Sequence, residues 1–151
     1  MALKESPITH ILLADDDEDD RELFTDALRE LYSRVKLTTA KNGVDLMRLL
    51  ETWKGALPDV IFLDLNMPLK NGFECLDEIK AEHRLKELPV VILSTSSQKE
   101  TMDILSKKQA SMYIKKPGTY PELKTAIEQT LNVHLRDLAS RKADQDFIVI
   151  H

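Results

Sequence analysis

The fold is decided by residues 59–68, DVIFLDLNMP, in which an apolar run ends at Asp64. The run from Val60 to Leu63 shows no alternation of polar and apolar side chains. Continuous apolar runs of this length are typical of strands that are covered on both faces, as in a parallel sheet. The segment therefore predicts a buried strand with a carboxylate at its carboxyl end.

Two further segments, one before and one after residues 59–68, also consist of an apolar run that ends at polar residues. The apolar run Ile11–Ala14 is followed by Asp15 and Asp16, and the run Val90–Leu93 is followed by Ser94. Weaker strand patterns occupy residues 36–40 and 111–114. The sequence thus predicts five strands.

Helical patterns follow these strands. Apolar residues recur at helical spacing in five stretches, which are Leu23–Leu31, Val44–Leu50, Phe73–Ile79, Met102–Leu105 and Leu123–Leu138. Five alternations of strand and helix predict an α/β fold, a doubly wound five-stranded parallel sheet with helices on both faces. Because ligands of such sheets bind beyond the carboxyl ends of the strands, the residues just after each strand are the candidates for function.

The polar residues at the strand ends form a chemically coherent set. They are Asp15 and Asp16 after the first strand, Asp64 after the third, Ser94 after the fourth and Lys116 after the fifth. Crowded carboxylates need a cation, and oxygen ligands favour a hard ion such as Mg²⁺. A carboxylate can also act as a nucleophile that forms an acyl phosphate, whose oxygens Ser94 and Lys116 would bind.

The acidic run Asp15–Asp20 also has a purely structural interpretation. Acidic side chains are favoured at helix N-termini, where they interact with the helix dipole. We assign that role to the last four residues of the run, which are Asp17, Glu18, Asp19 and Asp20. The first two stay candidate metal ligands because three other strand ends carry matching polar residues.

Together, these segments resemble the receiver domain of two-component response regulators. The resemblance extends from about Ile8 to Val133 and is carried by residues 11–16, residues 59–68 with Asn71-Gly72, residues 89–94 and residues 113–117. It implies the flavodoxin-like strand order 2-1-3-4-5. It also implies phosphorylation by a sensor histidine kinase, in a domain that catalyses only its own phosphorylation and dephosphorylation.

The resemblance implies roles for the acidic residues. Asp64 matches the phosphoacceptor of the family. Asp16, Asp64 and the backbone carbonyl of Asn66 match the direct ligands of Mg²⁺, and Asp15 is expected to contact the ion through water.

The resemblance extends to the switch machinery of receivers. Ser94 matches the switch hydroxyl, Tyr113 matches the aromatic switch residue, and Lys116 matches the family's invariant lysine. The family pattern further implies a cis peptide bond between Lys116 and Pro117.

Two other functions are compatible with parts of the sequence. Asp15, Asp17 and Asp19 have the spacing of the first ligands in a helix-loop-helix calcium site, but Asp20 stands where that loop requires glycine. A phosphohydrolase with an aspartyl nucleophile needs a second aspartate two residues further on, where this chain has Asn66. Both interpretations rank below the receiver.

Composition excludes several other classes of protein. The 151 residues carry a net charge of −5, which argues against a nucleic-acid partner because such binding depends on basic groups. The single cysteine, Cys75, rules out an internal disulfide and any zinc site built from several cysteines. No apolar run approaches the roughly 20 residues that cross a bilayer, and the first residues do not resemble a signal peptide. We expect a cytoplasmic protein without membrane attachment.

The sequence predicts one receiver domain, residues 1–140, and a C-terminal tail, residues 141–151. So short a tail cannot fold as a DNA-binding domain, and output is therefore expected from the receiver surface or the tail. This organisation resembles the stand-alone regulators that are paired with bacterial phytochromes. A sensor histidine kinase and an unidentified downstream protein are the expected partners.

The C-terminal part of the chain is apolar enough to have two interpretations. The fifth helix is predicted from Pro121 to about Ser140, with Leu135 and Leu138 continuing its apolar stripe, and residues 147–150 read FIVI. Exposed apolar surface usually marks an interaction site, which would make the protein a homodimer through the fifth helix and tail. Alternatively, the tail folds back onto its own domain.

Overall fold

The computed structural model describes residues 8–132 and 148–150. Strands and helices alternate along the chain in the order β1 (His10–Ala14), α1 (Glu18–Leu31), β2 (Lys36–Ala40), α2 (Gly43–Glu51), β3 (Val60–Asp64), α3 (Gly72–Ala81), β4 (Val90–Ser94), α4 (Lys99–Lys107), β5 (Met112–Lys115), α5 (Tyr120–Leu131) and β6 (Ile148–Ile150). All five predicted strands and all five predicted helices are present.

The strands form one parallel sheet in the order β2-β1-β3-β4-β5-β6. The first five strands have the predicted order 2-1-3-4-5. Strands β3 and β4 are buried along their whole length, which explains why their sequences are apolar without alternation. The chain winds in opposite directions from β1 and β3, and a crevice at their carboxyl ends is where such sheets bind ligands.

Two apolar clusters cover the two faces of the sheet. Helices α1 and α5 pack on one face through Phe24, Leu28 and Ile127. Helices α2, α3 and α4 pack on the other face, where Leu46 and Leu76 are fully buried. The predicted layers of helices on both faces are therefore confirmed, and among the described residues no helix is long and apolar enough to span a bilayer.

A sixth strand corrects the prediction of a five-stranded sheet. Strand β6 pairs in parallel with β5, with Met112 opposite Ile148 and Tyr113 opposite Val149. Its three residues are half-buried, so the tail does contact its own sheet. A three-residue apolar run is too short for its periodicity to reveal a strand. The predicted continuation of α5 to Ser140, with Leu135 and Leu138, lies outside the described residues.

The loop after β3 is held close to the strand that precedes it. A Cβ at Gly72 would lie 2.7 Å from the carbonyl oxygen of Asp64, so only glycine fits there. The N–H of Gly72 donates to the carbonyl of Leu65 at 2.9 Å, and Asn71 caps α3 in a capping box with Glu74. These contacts fix the backbone around Asp64.

Candidate functional site

Three carboxylates converge at the carboxyl ends of β1 and β3. Asp15, Asp16 and Asp64 each offer an oxygen, and these oxygens all lie within 4.8 Å of one another. Asp15 and Asp64 are only 2% and 3% exposed, whereas Asp16 is exposed. An all-oxygen donor set that is partly buried and partly open to solvent fits a hard divalent cation.

Backbone N–H groups orient the two buried carboxylates. The N–H of Asp17 donates to Oδ1 of Asp15 at 3.0 Å, and the N–H of Asn66 donates to Oδ1 of Asp64 at 3.1 Å. The Oδ2 atoms of both carboxylates lie near the ammonium group of Lys116. Each carboxylate is therefore fixed on one side and engaged by a lysine on the other.

Burial makes the carboxylate cluster electrostatically unfavourable. It raises the pKa of Asp15 to about 6, while the Asp17 N–H and Lys116 oppose this shift and the charge of Asp64 adds to it. Burial also raises the pKa of Asp64, against the attraction of Lys116. A bound cation would stabilise both ionised carboxylates, so the residues present fit a divalent metal.

Lys116 sits among carboxylates just after β5. Its Nζ hydrogen-bonds Oδ2 of Asp64 at 3.2 Å and Oδ2 of Asp20 at 3.1 Å, and it pairs with Oδ2 of Asp15 at 3.3 Å. Although burial opposes the shift, the charges of Asp15 and Asp64 raise the pKa of Lys116. The lysine is therefore a cation at neutral pH, placed beside Asp64.

Ser94 and Tyr113 are connected through the loop that follows β4. Ser94 is 1% exposed, and its Oγ accepts a hydrogen bond from the N–H of Ser96 at 3.1 Å. The hydroxyl of the fully buried Tyr113 donates to the carbonyl of the same Ser96. The backbone N–H of Lys116 donates to the Ser94 carbonyl at 2.8 Å, so both predicted switch residues and the lysine belong to one hydrogen-bonded unit.

Asp20 is the residue that the sequence interpretation missed. The sequence assigns it only to the N-terminus of a helix, but its carboxylate accepts a hydrogen bond from Lys116. A signal was available, because Asp20 precedes the buried residues Phe24, Ala27 and Leu28 at helical spacing. A carboxylate on the buried stripe of α1, in its first turn, faces the edge where the strands end.

Two other expectations from the sequence change. The Lys116–Pro117 bond is trans, since the described residues contain no cis peptide bond; trans is the intrinsically favoured isomer even before proline. Asp17 is the N-cap of α1, and its side chain accepts the N–H groups of Asp19 and Asp20. The aspartate spacing that resembles a calcium loop is therefore a helix cap that follows a strand.

Comparison with known proteins identifies the family to which the chain belongs. The family model of the response regulator receiver domain matches residues 11–128. The chain is a response regulator receiver domain. Receivers accept a phosphoryl group on an aspartate in two-component signalling, and sensor histidine kinases supply it.

Two relatives of this receiver domain have nearly the same length as the chain. Response regulator Rcp1 of Synechocystis is 31% identical over 127 residues, which cover 82% of this chain and 86% of Rcp1. The probable methanogenesis regulatory protein FilR2 of Methanothrix harundinacea is 32% identical over 122 residues, which cover 79% of each chain. The resemblance to single-domain receivers is thereby confirmed.

Solved structures agree with the fold of this receiver. The phosphorylated cyanobacterial phytochrome response regulator RcpA superposes with a TM-score of 0.75 at 31% identity, over 82% of this chain and 91% of RcpA. The Mn²⁺-bound form of Rcp1 gives a TM-score of 0.75 at 28% identity, over 84% of this chain and 94% of Rcp1. Receiver domains thus bind a divalent metal, and the acidic cluster of this chain is compatible with one.

Proposed function

We propose that Asp64 accepts the phosphoryl group from a phosphohistidine of a sensor histidine kinase. An oxygen of Asp64 attacks the phosphorus, the new O–P bond forms, and the P–N bond breaks with its electron pair returning to the imidazole. The position of Asp64 carries the proposal. Because β3 lies between β1 and β4, the carboxylate has Asp15 and Asp16 on one side and Ser94 and Lys116 on the other.

We assign Mg²⁺ as the metal of this site. Asp16, Asp64 and the backbone carbonyl of Asn66 would hold it directly, and Asp15 through a water molecule. When bound, the ion stabilises the negative charge of the transferred phosphoryl group. The raised pKa of Asp15 and of Asp64 supports this assignment, since both shifts reflect an uncompensated cost of ionisation.

The domain acts on no substrate other than its own phosphoryl group. It catalyses its phosphorylation by small phosphodonors and the hydrolysis of the resulting acyl phosphate, with Ser94 and Lys116 each binding a phosphoryl oxygen. An aspartyl phosphohydrolase needs a general acid two residues after its nucleophile. That position holds Asn66, which cannot donate a carboxyl proton.

Signal output follows from the link between Ser94 and Tyr113. The phosphoryl group draws the Ser94 hydroxyl towards Asp64, and the ring of Tyr113, which is already buried, repacks into the space that is freed. The equilibrium between two arrangements of α4, β5 and α5 shifts accordingly. A downstream protein in the cytoplasm binds the shifted surface.

The tail offers a second contact, between two copies of the chain. We infer a homodimer through α5 and the tail. Strand β6 lies at the edge of the sheet with half-buried apolar side chains, and an edge strand presents backbone groups that a second chain can pair with. Docking of β6 on its own β5 supports the alternative in which the tail only folds back. Oligomeric state distinguishes the two.

Intact-mass measurement tests the phosphorylation proposal. The protein is incubated with acetyl phosphate in Mg²⁺ or in EDTA. We expect one added phosphoryl group in the wild type and in the surface variant Asp103→Asn, and none in EDTA. Continuous turnover of external phosphate esters would contradict the proposal and indicate a phosphohydrolase.

A further inference from the structure

Asp20 is a carboxylate at the phosphorylation site that has no role in the transfer described above. It lies in the first turn of α1, and its Oδ2 is 3.1 Å from Nζ of Lys116. The start of this helix is fixed, because the side chain of Asp17 accepts the backbone N–H groups of Asp19 at 2.8 Å and of Asp20 at 3.2 Å. The helix cap thus holds Asp20 where it meets the lysine.

The ammonium group of Lys116 is shared by three carboxylates in the resting protein. It donates hydrogen bonds to Asp20 and Asp64 and pairs with Asp15 at 3.3 Å. A phosphoryl oxygen on Asp64 adds a further acceptor, which competes with these carboxylates for the three N–H groups of the lysine.

Solvent exposure indicates which contact is given up. The side chains of Asp15 and Asp64 are 3% and 5% exposed, whereas that of Asp20 is 41% exposed. Water can replace the lysine at Asp20, but a buried carboxylate that loses its partner stays unsolvated. Asp20 is the contact that costs least to break.

We propose that Asp20 competes with the phosphoryl group for Lys116, and thereby weakens the binding of that group at Asp64. The inference rests on the proposed function of Asp64. On transfer, one N–H of Lys116 passes from Oδ2 of Asp20 to a phosphoryl oxygen, and Asp20 takes water in exchange. Asp20 acts through Lys116, so it is a positioning residue.

Binding of fluoroberyllate, a mimic of the phosphoryl group, measures this competition. The wild type and three variants are titrated in saturating Mg²⁺: Asp20→Asn, Asp20→Glu and Asp19→Asn. Asp19 is the matched control, since it is exposed, lies one residue away and loses the same charge. We expect Asp20→Asn to bind about 1.5-fold to fivefold more tightly, the range of a half-exposed ion pair. Asp19→Asn should match the wild type, and Asp20→Glu should return the affinity towards it.

A second readout needs neither metal nor phosphoryl group. The ¹⁵N signal of the Lys116 ammonium, assigned by its loss in Lys116→Arg, is recorded in EDTA. If Asp20 holds the lysine, Asp20→Asn shifts this signal and speeds its hydrogen exchange with water. Asp19→Asn should leave both unchanged.

The possible results distinguish a failure of the Asp20 competition from a failure of the proposed function of Asp64. A wild type that does not bind fluoroberyllate overturns the proposed function. A wild type that binds, together with an Asp20→Asn variant of equal or lower affinity, overturns the competition alone. Tighter binding without any change in the Lys116 signal also overturns it, because simple charge repulsion would then explain the gain.

Discussion

The hydroxyl of Tyr113 donates a hydrogen bond to the backbone carbonyl of Ser96. The N–H of Ser96 in turn donates to the hydroxyl oxygen of Ser94, at 3.1 Å. A movement of Ser94 towards Asp64 therefore displaces Ser96 and disturbs the contact with Tyr113. The site and the surface around β5 are joined by two hydrogen bonds, which makes the switch testable.

Replacing Tyr113 by Phe should weaken the link between Ser94 and the surface formed by α4, β5 and α5. The variant loses the hydrogen bond from Tyr113 to the loop after β4, about 0.5–1.5 kcal/mol. In NMR spectra, fluoroberyllate should therefore shift the signals of α4, β5 and α5 less in this variant than in the wild type. Tyr120→Phe, which removes an exposed hydroxyl that bonds Glu30, is the control. Changes confined to α1 and α2 would contradict the mechanism.

Asp16→Ala should weaken Mg²⁺ binding by at least about tenfold, since even outer-shell changes at metal sites cost that much. Asp16 is exposed, so its removal should leave the fold intact. Calorimetric titration of Mg²⁺ measures the effect. Asp19→Ala, an equal loss of charge on the neighbouring helix, should bind like the wild type; equal weakening in both variants would argue against Asp16 as a ligand.

The metal-free protein should lose stability as pH rises through the range set by Asp15. Burial raises the pKa of this carboxyl from 3.8 to about 6. Between these values the native state holds a proton that the unfolded chain has released, so the free energy of unfolding falls with rising pH and stays lower above it. The contribution is on the order of 2–3 kcal/mol. Urea unfolding in EDTA should show a steeper slope in the wild type than in Asp15→Asn, in which the raised pKa of Asp64 leaves part of the effect. Parallel curves for the two proteins would refute the prediction.

Most of the fold could be predicted because the central strands are buried on both faces and therefore require apolar residues without alternation. The uninterrupted apolar runs of β3 and β4 match strands that are buried at every residue. Which face of α1 packs against the sheet was harder to predict. Leu23 lies on the predicted apolar face but is 45% exposed, while Phe24 is 2% exposed. Adjacent apolar residues leave the orientation of a helix open by about 100° per residue, and only packing decides it.

The candidate site likewise contains residues that the sequence predicts and one that it does not. Asp15, Asp16, Asp64, Ser94 and Lys116 follow strands, and the topology of a parallel sheet brings strand ends together. Asp20 reaches the site from a helix, so its role depends on how α1 is rotated against the sheet. Strand β6 depends on a contact between distant parts of the chain, which no local pattern encodes.

Removal of residues 141–151 tests whether the tail joins two copies. If the homodimer forms through α5 and β6, the wild type should sediment as a dimer and the truncated chain as a monomer. Leu69→Asn, a change at an apolar residue that is 79% exposed on a different surface, should stay dimeric. A monomeric wild type, phosphorylated or not, would leave β6 as a strand that docks only on its own sheet.

The most direct test of the central claim is the location of the phosphoryl group. After phosphorylation with acetyl phosphate and Mg²⁺, borohydride reduces an aspartyl phosphate to homoserine, which peptide mass spectrometry can place in the sequence. We predict homoserine at position 64 only, with no labelled peptide from Asp64→Asn. Homoserine at Asp15, Asp16 or Asp20, or undiminished labelling of the Asp64→Asn variant, would contradict the account.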